Sequence, residues 1–248
     1  EEVLRVENLS DPKFLENISF SLKKGELLGF SGLIGAGRTE LAECIMGLRP
    51  RSSGDIFVKG EKAQINSPLD ALSHKLAYMS EDRKGKGLLM YFGIPENISL
   101  ISLSKYTNVF INKKVVQQSA DNYIDKFDIK AASLKAELDY FSGGNQQKVY
   151  LSKWMDTDPF ILILDEPTRG IDVNAKKEIY HFINSLVTQG VSCILISSEL
   201  EEIIGLCTRV LVMREGRITG EMEGDHINEE EIMFSAAGVR DINQSKRE

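Results

Sequence analysis

The chain has 248 residues, 42% of them hydrophobic and 27% charged, with a formal net charge of −7. That composition is ordinary for a globular protein, and the length suffices for one large α/β domain with a small subdomain. The acidic balance excludes nucleic acid as a leading partner, since duplex binding depends on Lys and Arg neutralising phosphates, and no apolar run approaches the roughly 20 residues of a membrane-spanning helix.

In chain order, LRVENL and ISFSL read as short strands separated by the turn-like SDPK, and GELLGFSG as a strand entering a glycine loop. TELAECIM, from Thr39 to Met46, reads as a helix ended by Gly47. GDIFVKG is a further strand, and LDALSHKL a short helix leading into LAYMS. From about 92 to 148 the pattern changes: PENISLISL, NKKVVQQSADNYIDKFDI and KAAS carry helix-period apolar positions, which predicts a helical insert. NQQKVYLSKWM reads as a helix with Trp154 in its core-facing part.

The last third alternates. ILILDEP is a strand, apolar throughout as a strand buried on both faces would be. VNAKKEIYHFINSLV is a helix with Ile179, Phe182, Ile183 and Leu186 on one stripe, Asp172 as N-cap and Gly190 as its stop. VSCILISS is a strand, ELEEIIGL a helix with Glu199–Glu202 as a solvated face, and RVLVMREGRITGEM a hairpin. The polar segment from about 225 is expected to be loosely held, with 241–248 as a polar tail. Cys44, Cys193 and Cys207 lie far apart without metal-type spacing, which fits a reducing compartment and small core residues. His74, His181 and His226 read as surface or capping residues. The chain opens EEVLRVENL, without methionine or a signal-peptide pattern, and is read as an excised domain.

Three stretches carry chemistry. GFSGLIGAGRTE follows the phosphate-loop pattern G-x-x-x-x-G-K-[ST], with Gly32, Gly37 and Thr39 in register and Arg38 where the pattern has lysine. A glycine-rich strand-to-helix turn aims backbone N–H groups at an anion, aided by the helix N-terminus. ILILDEP ends a buried strand in Asp165 and Glu166: one carboxylate can hold Mg²⁺ through water while the next orients a nucleophilic water. FSGGNQQK places Ser142, Gly143 and Gly144 at the start of a second helix, a second anion-binding terminus. One nucleotide rarely needs two such sites in one domain, whereas two domains facing each other would.

In this order and over nearly the whole chain, these residues resemble the ATP-binding domain of ABC transporters: Walker A at 32–39, signature SGG at 142–144, Walker B at 161–166 and D-loop TRGID at 168–172. GAGRTE, SEDRKGKGL, SGGNQQK, DEPTRGID and ISSELEE further resemble the C-terminal ATPase domain of monosaccharide importers of the ribose, xylose and galactose type, in which two such domains are fused. The resemblance implies a P-loop NTPase α/β fold of the ABC ATPase kind. It comprises a mostly parallel sheet, an N-terminal antiparallel β patch and a helical subdomain inserted within one ATP-binding domain, 1–240. ATP and Mg²⁺ are the implied cofactors. Nucleotide would be held by Gly32, Gly35, Ala36, Gly37, Arg38, Thr39, Glu81 and Ser198, metal by Thr39 and Asp165, with Glu166 catalytic. Ser142, Gly143, Gly144 and Gln146 would act on a partner's nucleotide, and Gly170 and Asp172 belong to the D-loop. Implied partners are a second ATPase domain fused upstream, membrane permease subunits, an extracytoplasmic sugar-binding protein indirectly, and no nucleic acid. The implied location is the cytoplasmic face of the membrane, peripherally.

Three positions depart from that pattern. Arg38 replaces a compact lysine with a planar fork, which is not a neutral exchange. Glu81 stands at the Q-loop glutamine and Ser198 at the switch histidine. All three weaken handling of the γ-phosphate. The expectation is an asymmetric half, whose SGG completes a hydrolysing site on its partner while its own Walker A is degenerate and weak or inactive in isolation. The competing reading keeps hydrolysis at Glu166 despite Arg38. Two other classes are a regulatory domain that binds nucleotide without turnover and a soluble ABC ATPase outside transport; the short insert and acidic charge count against the latter. EDRKGKGLLMYFGIPENISL matches the family's segment for the permease's coupling helix, and Phe14 is the candidate to stack adenine, with core packing as the equal alternative.

Overall fold

The computed structural model describes residues 1–131 and 133–239. The chain forms, in order, β1 (Glu2–Ser10), β2 (Ile18–Lys23), β3 (Leu27–Gly32), α1 (Arg38–Ile45), β4 (Ser53–Val58), β5 (Glu61–Lys62), α2 (Pro68–Ser73) and β6 (Leu76–Met79). Helices α3 (Ile94–Ser99), α4 (Lys113–Phe127) and α5 (Gly143–Met155) follow. Then come β7 (Ile161–Asp165), α6 (Val173–Thr188), β8 (Ser192–Ile196), α7 (Leu200–Leu206), β9 (Arg209–Arg214), β10 (Arg217–Glu223) and α8 (Glu229–Ala237). They divide into two compact units: residues 1–78, 160–166 and from 184 onward, and residues 79–159 with 167–183.

The first unit is built on two sheets. The antiparallel sheet has the order β2-β1-β4-β5. In β2, Ile18, Phe20 and Leu22 are buried in strict alternation, the period of a strand with one face on the core. The larger sheet has the order β10-β9-β3-β8-β7-β6, with β9, β3, β8 and β7 parallel and β10 antiparallel at one edge. All five residues of β7 and all five of β8 are buried, as central parallel strands require. Pairing Asp165 with Ile196 and Gly32 with Met213 brings the ends of β7, β8, β3 and β9 to one edge, where the glycine loop begins. A buried ion pair locks the other end: Arg209 donates from Nε to Glu26 Oε1 at 2.7 Å and from Nη1 to Glu221 at 2.8 Å.

Residues 225–239 are not loose. Asn228 caps α8 through its side chain, Ile232, Ser235 and Ala236 are buried, and the helix lies against β3, β9 and β10. The short apolar spacing in IMFSAA, hidden among acidic residues, is what holds it. The tail 241–248 lies outside the described residues.

In the second unit, α3, α4 and α5 pack on one another. Asn97 is fully buried, its amide accepting from Leu89 N–H and donating to the carbonyls of Leu89 and Gly93. Asp156, at the end of α5, accepts from the hydroxyls of Ser102, Tyr106 and Ser119. Phe127 and Phe182 meet with ring centroids 4.1 Å apart. KAAS does not continue the helical pattern: Lys130, Ala131 and Ser133 are irregular, because Asp128 ends α4 in the left-handed conformation (φ 47°). The three cysteines are free and buried. No helix among the described residues is long and apolar enough to cross a membrane.

Candidate functional site

The glycine loop runs from β3 into α1. Gly32 has φ 149°, and a Cβ there would stand 2.2 Å from the Met213 carbonyl oxygen; Gly37 has φ 100° and a Cβ would stand 3.0 Å from Leu15. Both positions therefore demand glycine. Between them Leu33, Ile34 and Gly35 are exposed, whereas Ala36 is buried and its carbonyl accepts from Gly216 N–H. The loop thus presents its backbone outward from a fixed base.

Thr39, in the first turn of α1, donates its hydroxyl to Asp165 Oδ2 at 2.9 Å. Tyr78 donates to the same oxygen at 3.0 Å. Sequence reasoning missed Tyr78; nothing in LAYMS marks a buried tyrosine as different from a core residue. Asp165 is completely buried, and its Oδ1 has no hydrogen-bond partner among the described residues. Burial raises its pKa, against the lowering from the Thr39 and Tyr78 hydroxyls. A buried carboxylate oxygen left without a donor costs free energy unless something else meets it. Together with the Thr39 hydroxyl it fits Mg²⁺, a cation that takes oxygen ligands and keeps several waters. No cluster of three His, Cys, Asp or Glu that could hold a metal occurs among the described residues. A metal here would therefore draw its remaining oxygens from a ligand and water.

Glu166 adopts φ 50°, unusual for a side-chain-bearing residue, held by its N–H donating to Ile196 O at 2.8 Å. Its carboxylate accepts from Ser198 Oγ at 3.1 Å. Burial raises the Glu166 pKa, while Ser198 and Arg38 pull it back. Arg38 is buried, and its Nη1 donates to the Ser197 carbonyl at 2.5 Å. It lines a small apolar cavity together with Leu41, Ile45, Ile163 and Ile196. Burial lowers its pKa, and the charges of Glu166 and Asp165 raise it. So the cation that replaces lysine is tied to the end of β8, beside the two carboxylates.

Glu202 corrects an expectation. It is buried rather than solvated, and Ser197 Oγ donates to its carboxylate at 2.7 Å. Ser197 precedes α7 in sequence, and folding back of its side chain turns the second acid of ELEE inward. Phe14 is partly exposed, with the guanidinium of Arg49 5.0 Å and the ammonium of Lys13 4.9 Å from its ring centre.

The second unit carries the other predicted residues. Ser142 is the exposed N-cap of α5, its Oγ accepting from Asn145. Gly143 and Gly144 let the helix start pass close to its neighbours: a Cβ would stand 3.2 Å from Gly170 O at the first and 2.6 Å from the Ala175 Cβ at the second. Asp172 caps α6, accepting from the N–H groups of Asn174 and Ala175 at 3.0 Å each. Gln146 is buried and spends its amide on the carbonyls of Leu138 and Phe141, so it braces the loop before the helix rather than facing outward. Gln147 is buried as well, accepting from Arg83 and donating to Pro167 O; its doublet with Gln146 hid this role in the sequence. Glu81 is exposed and forms an ion pair with Arg169.

Comparison with known proteins bears on the same residues. A family model described as "ABC transporter" matches residues 15–169. The chain is 47% identical over 240 residues to the ribose import ATP-binding protein RbsA of Caldanaerobacter subterraneus subsp. tengcongensis, covering 96% of this chain and 48% of the relative. It is 47% identical over 230 residues to the xylose import ATP-binding protein XylG of Thermoanaerobacter pseudethanolicus, covering 91% and 45%. The chain thus spans about half the length of the curated relatives it matches. A solved ATP-binding cassette of an ABC transporter superposes with a TM-score of 0.83 over 96% of this chain and 98% of that one, at 18% identity, which supports the fold. The α/β architecture, the ordered motifs and this likeness agree: the chain belongs to the ABC transporter family.

Proposed function

We propose that this chain is one ATP-binding domain of a sugar importer, and that it works as the asymmetric half of a pair. The chain's 45–47% identity to sugar import ATP-binding proteins supports the substrate class. Their double length supports a second ATPase domain in the same polypeptide. Membrane permease subunits at the cytoplasmic face and an extracytoplasmic sugar-binding protein complete the assembly. Exposed Tyr91 and Phe92, in the segment after Glu81, suit a permease contact.

The observation that carries the asymmetry is Arg38. Its guanidinium is bound at the Ser197 carbonyl, so the loop lacks a mobile cation for the β- and γ-phosphates. The loop's backbone N–H groups still hold an anion, and Thr39 and Asp165 would hold Mg²⁺. When bound, that ion neutralises phosphate charge. Glu166 can accept a proton from water, but Ser198 supplies only a short hydroxyl where the family has histidine. Nucleotide is therefore held here with slow turnover. Ser142, Gly143 and Gly144 instead offer the start of α5 to a nucleotide on the partner, with the SGG backbone as the anion-facing surface and Gln146 bracing it.

The test is ATP hydrolysis by the protein containing this chain and its partner domain. Ser142→Ala is expected to cost a large share of turnover, on the order of 100-fold as for loss of a phosphate-facing group, and Glu166→Gln little. The reverse order would sink the asymmetric reading and favour hydrolysis at Glu166.

A further inference from the structure

One face of α5 holds the segment that carries Glu81. Gln147, Tyr150 and Lys153 stand three residues apart and so line one side of the helix. Gln147 Oε1 accepts from Arg83 Nη1 at 3.0 Å. The Tyr150 hydroxyl accepts from Ser80 N–H at 3.1 Å and meets Ser80 Oγ at 3.0 Å. The Tyr150 ring lies against Gly87, where a Cβ would come within 2.6 Å of Cζ. Lys153, itself buried, donates from Nζ to Gly87 O at 2.7 Å. Residues 80–87, including the π-helical turn Arg83–Gly87, are thereby fastened along about two turns of the helix that begins at SGG.

Gln147 does more than receive Arg83. Its Nε2 donates to the Pro167 carbonyl, at the head of the segment that carries Gly170 and Asp172. A primary amide accepts at its oxygen and donates at its nitrogen, so one side chain can serve both partners. Gln147 is 3% exposed, so both bonds sit out of water, where losing either leaves a partner unsatisfied. Arg83 depends on it: among the described residues no carboxylate lies in ion-pair range, and its Nε is buried without a partner. Beyond Gln147 the packing leaves no room for a side chain, because a Cβ would stand 3.2 Å from Gly170 O at Gly143 and 2.6 Å from the Ala175 Cβ at Gly144.

We propose that Arg83 and Gln147 are positioning residues which pass displacements of residues 80–87 to the SGG turn and to residues 167–172, so that the orientation of the signature follows the Glu81 segment. Its catalytic consequence rests on the reading above that SGG completes a partner's site. The relay itself does not.

The experiment is hydrogen–deuterium exchange on the protein containing this chain, as wild type, Arg83→Met, Arg83→Lys, Gln147→Leu and the Met/Leu double variant, with steady-state ATPase on the same samples. Arg83→Met is expected to speed exchange at 142–146 and 168–172 about 10-fold, as loss of a local tether does. Arg83→Lys, which keeps one donor and the charge, should restore more than half of the protection. The double variant should go no further than the larger single one, as for residues acting through one contact. Turnover should fall about 10-fold with KM for ATP within about 2-fold. Faster exchange confined to 80–87, or additive effects in the double variant, overturns the relay. If Gln147→Leu fails to fold, the Arg83 pair decides alone. Changed exchange with unchanged turnover upholds the relay and removes the reading of SGG as half of an active site.

Discussion

Arg38 Nη1 donates to the carbonyl of Ser197 at 2.5 Å, and this bond decides how the phosphate loop is charged. The two residues lie 159 positions apart, and the bond forms because α1 starts at the edge where β8 ends. A lysine cannot fork between strand end and carboxylates in the same way.

Arg38→Lys is therefore expected to strengthen ATP binding at this loop about 10-fold, worth about 1.4 kcal/mol. Calorimetric titration of wild type and variant checks it. Unchanged or weaker binding would show that the arginine already serves the phosphates.

Asp165→Asn separates stability from function. Burial raises the Asp165 pKa, so the charged form is held at a cost at neutral pH. The amide can keep its oxygen toward Thr39 and Tyr78 without carrying charge. Stability of the nucleotide-free protein is expected to rise by about 1 kcal/mol, while the gain in nucleotide affinity from Mg²⁺ disappears. Urea unfolding and titration with and without Mg²⁺ report the two effects; a less stable variant that still responds to Mg²⁺ would refute both.

Lys153 gives a pH signature. Burial depresses its pKa from 10.5 to about 8. A lysine depressed in the folded state destabilises at all pH below the folded value. That penalty is relieved as pH rises from about 8 toward 10.5, where the unfolded chain holds a proton that the folded chain has lost. The full shift is worth about 3 kcal/mol. The stability difference between wild type and Lys153→Met should move in favour of wild type by that order between pH 8 and 10.5. Denaturant midpoints at three pH values measure it, and a flat difference would contradict the depressed lysine. Referring wild type to the variant cancels the contribution of every titratable group the two proteins share.

Arg209→Leu leaves Glu26 buried without its cation, since the pair sits with relative side-chain exposures of 7% and 8%. Loss of one partner of a buried pair costs about 3–5 kcal/mol. Chemical unfolding at neutral pH should show it. The double variant Arg209→Leu with Glu26→Leu should recover most of the loss; no recovery would assign the effect to packing.

Much of the fold was legible because each element carries its own period. The unbroken apolar runs of β7 and β8, the alternation of β2 and the stripe of Ile179, Ile183 and Leu186 all announce their burial. Acidic spacing misled twice. Glu202 reads as solvated and the segment from 225 as loosely held, yet Ser197 Oγ donates to the Glu202 carboxylate, and Ile232, Ser235 and Ala236 of α8 are buried on the side that meets β3, β9 and β10.

The residue types by themselves determined which groups could do chemistry: glycines that permit a loop, a hydroxyl at Thr39, two acids after a buried strand and an arginine in place of lysine. Short-range pattern suffices for these, because they are properties of one turn or one strand. Which partner each group meets was decided only by the tertiary structure. Thr39 and Tyr78 share one oxygen of Asp165 and leave the other open, Arg38 turns to Ser197, and Gln147, not its neighbour Gln146, bridges Arg83 to Pro167. Hydrogen bonds are directional and of short range, so they depend on strand register and helix rotation that no local window of sequence contains.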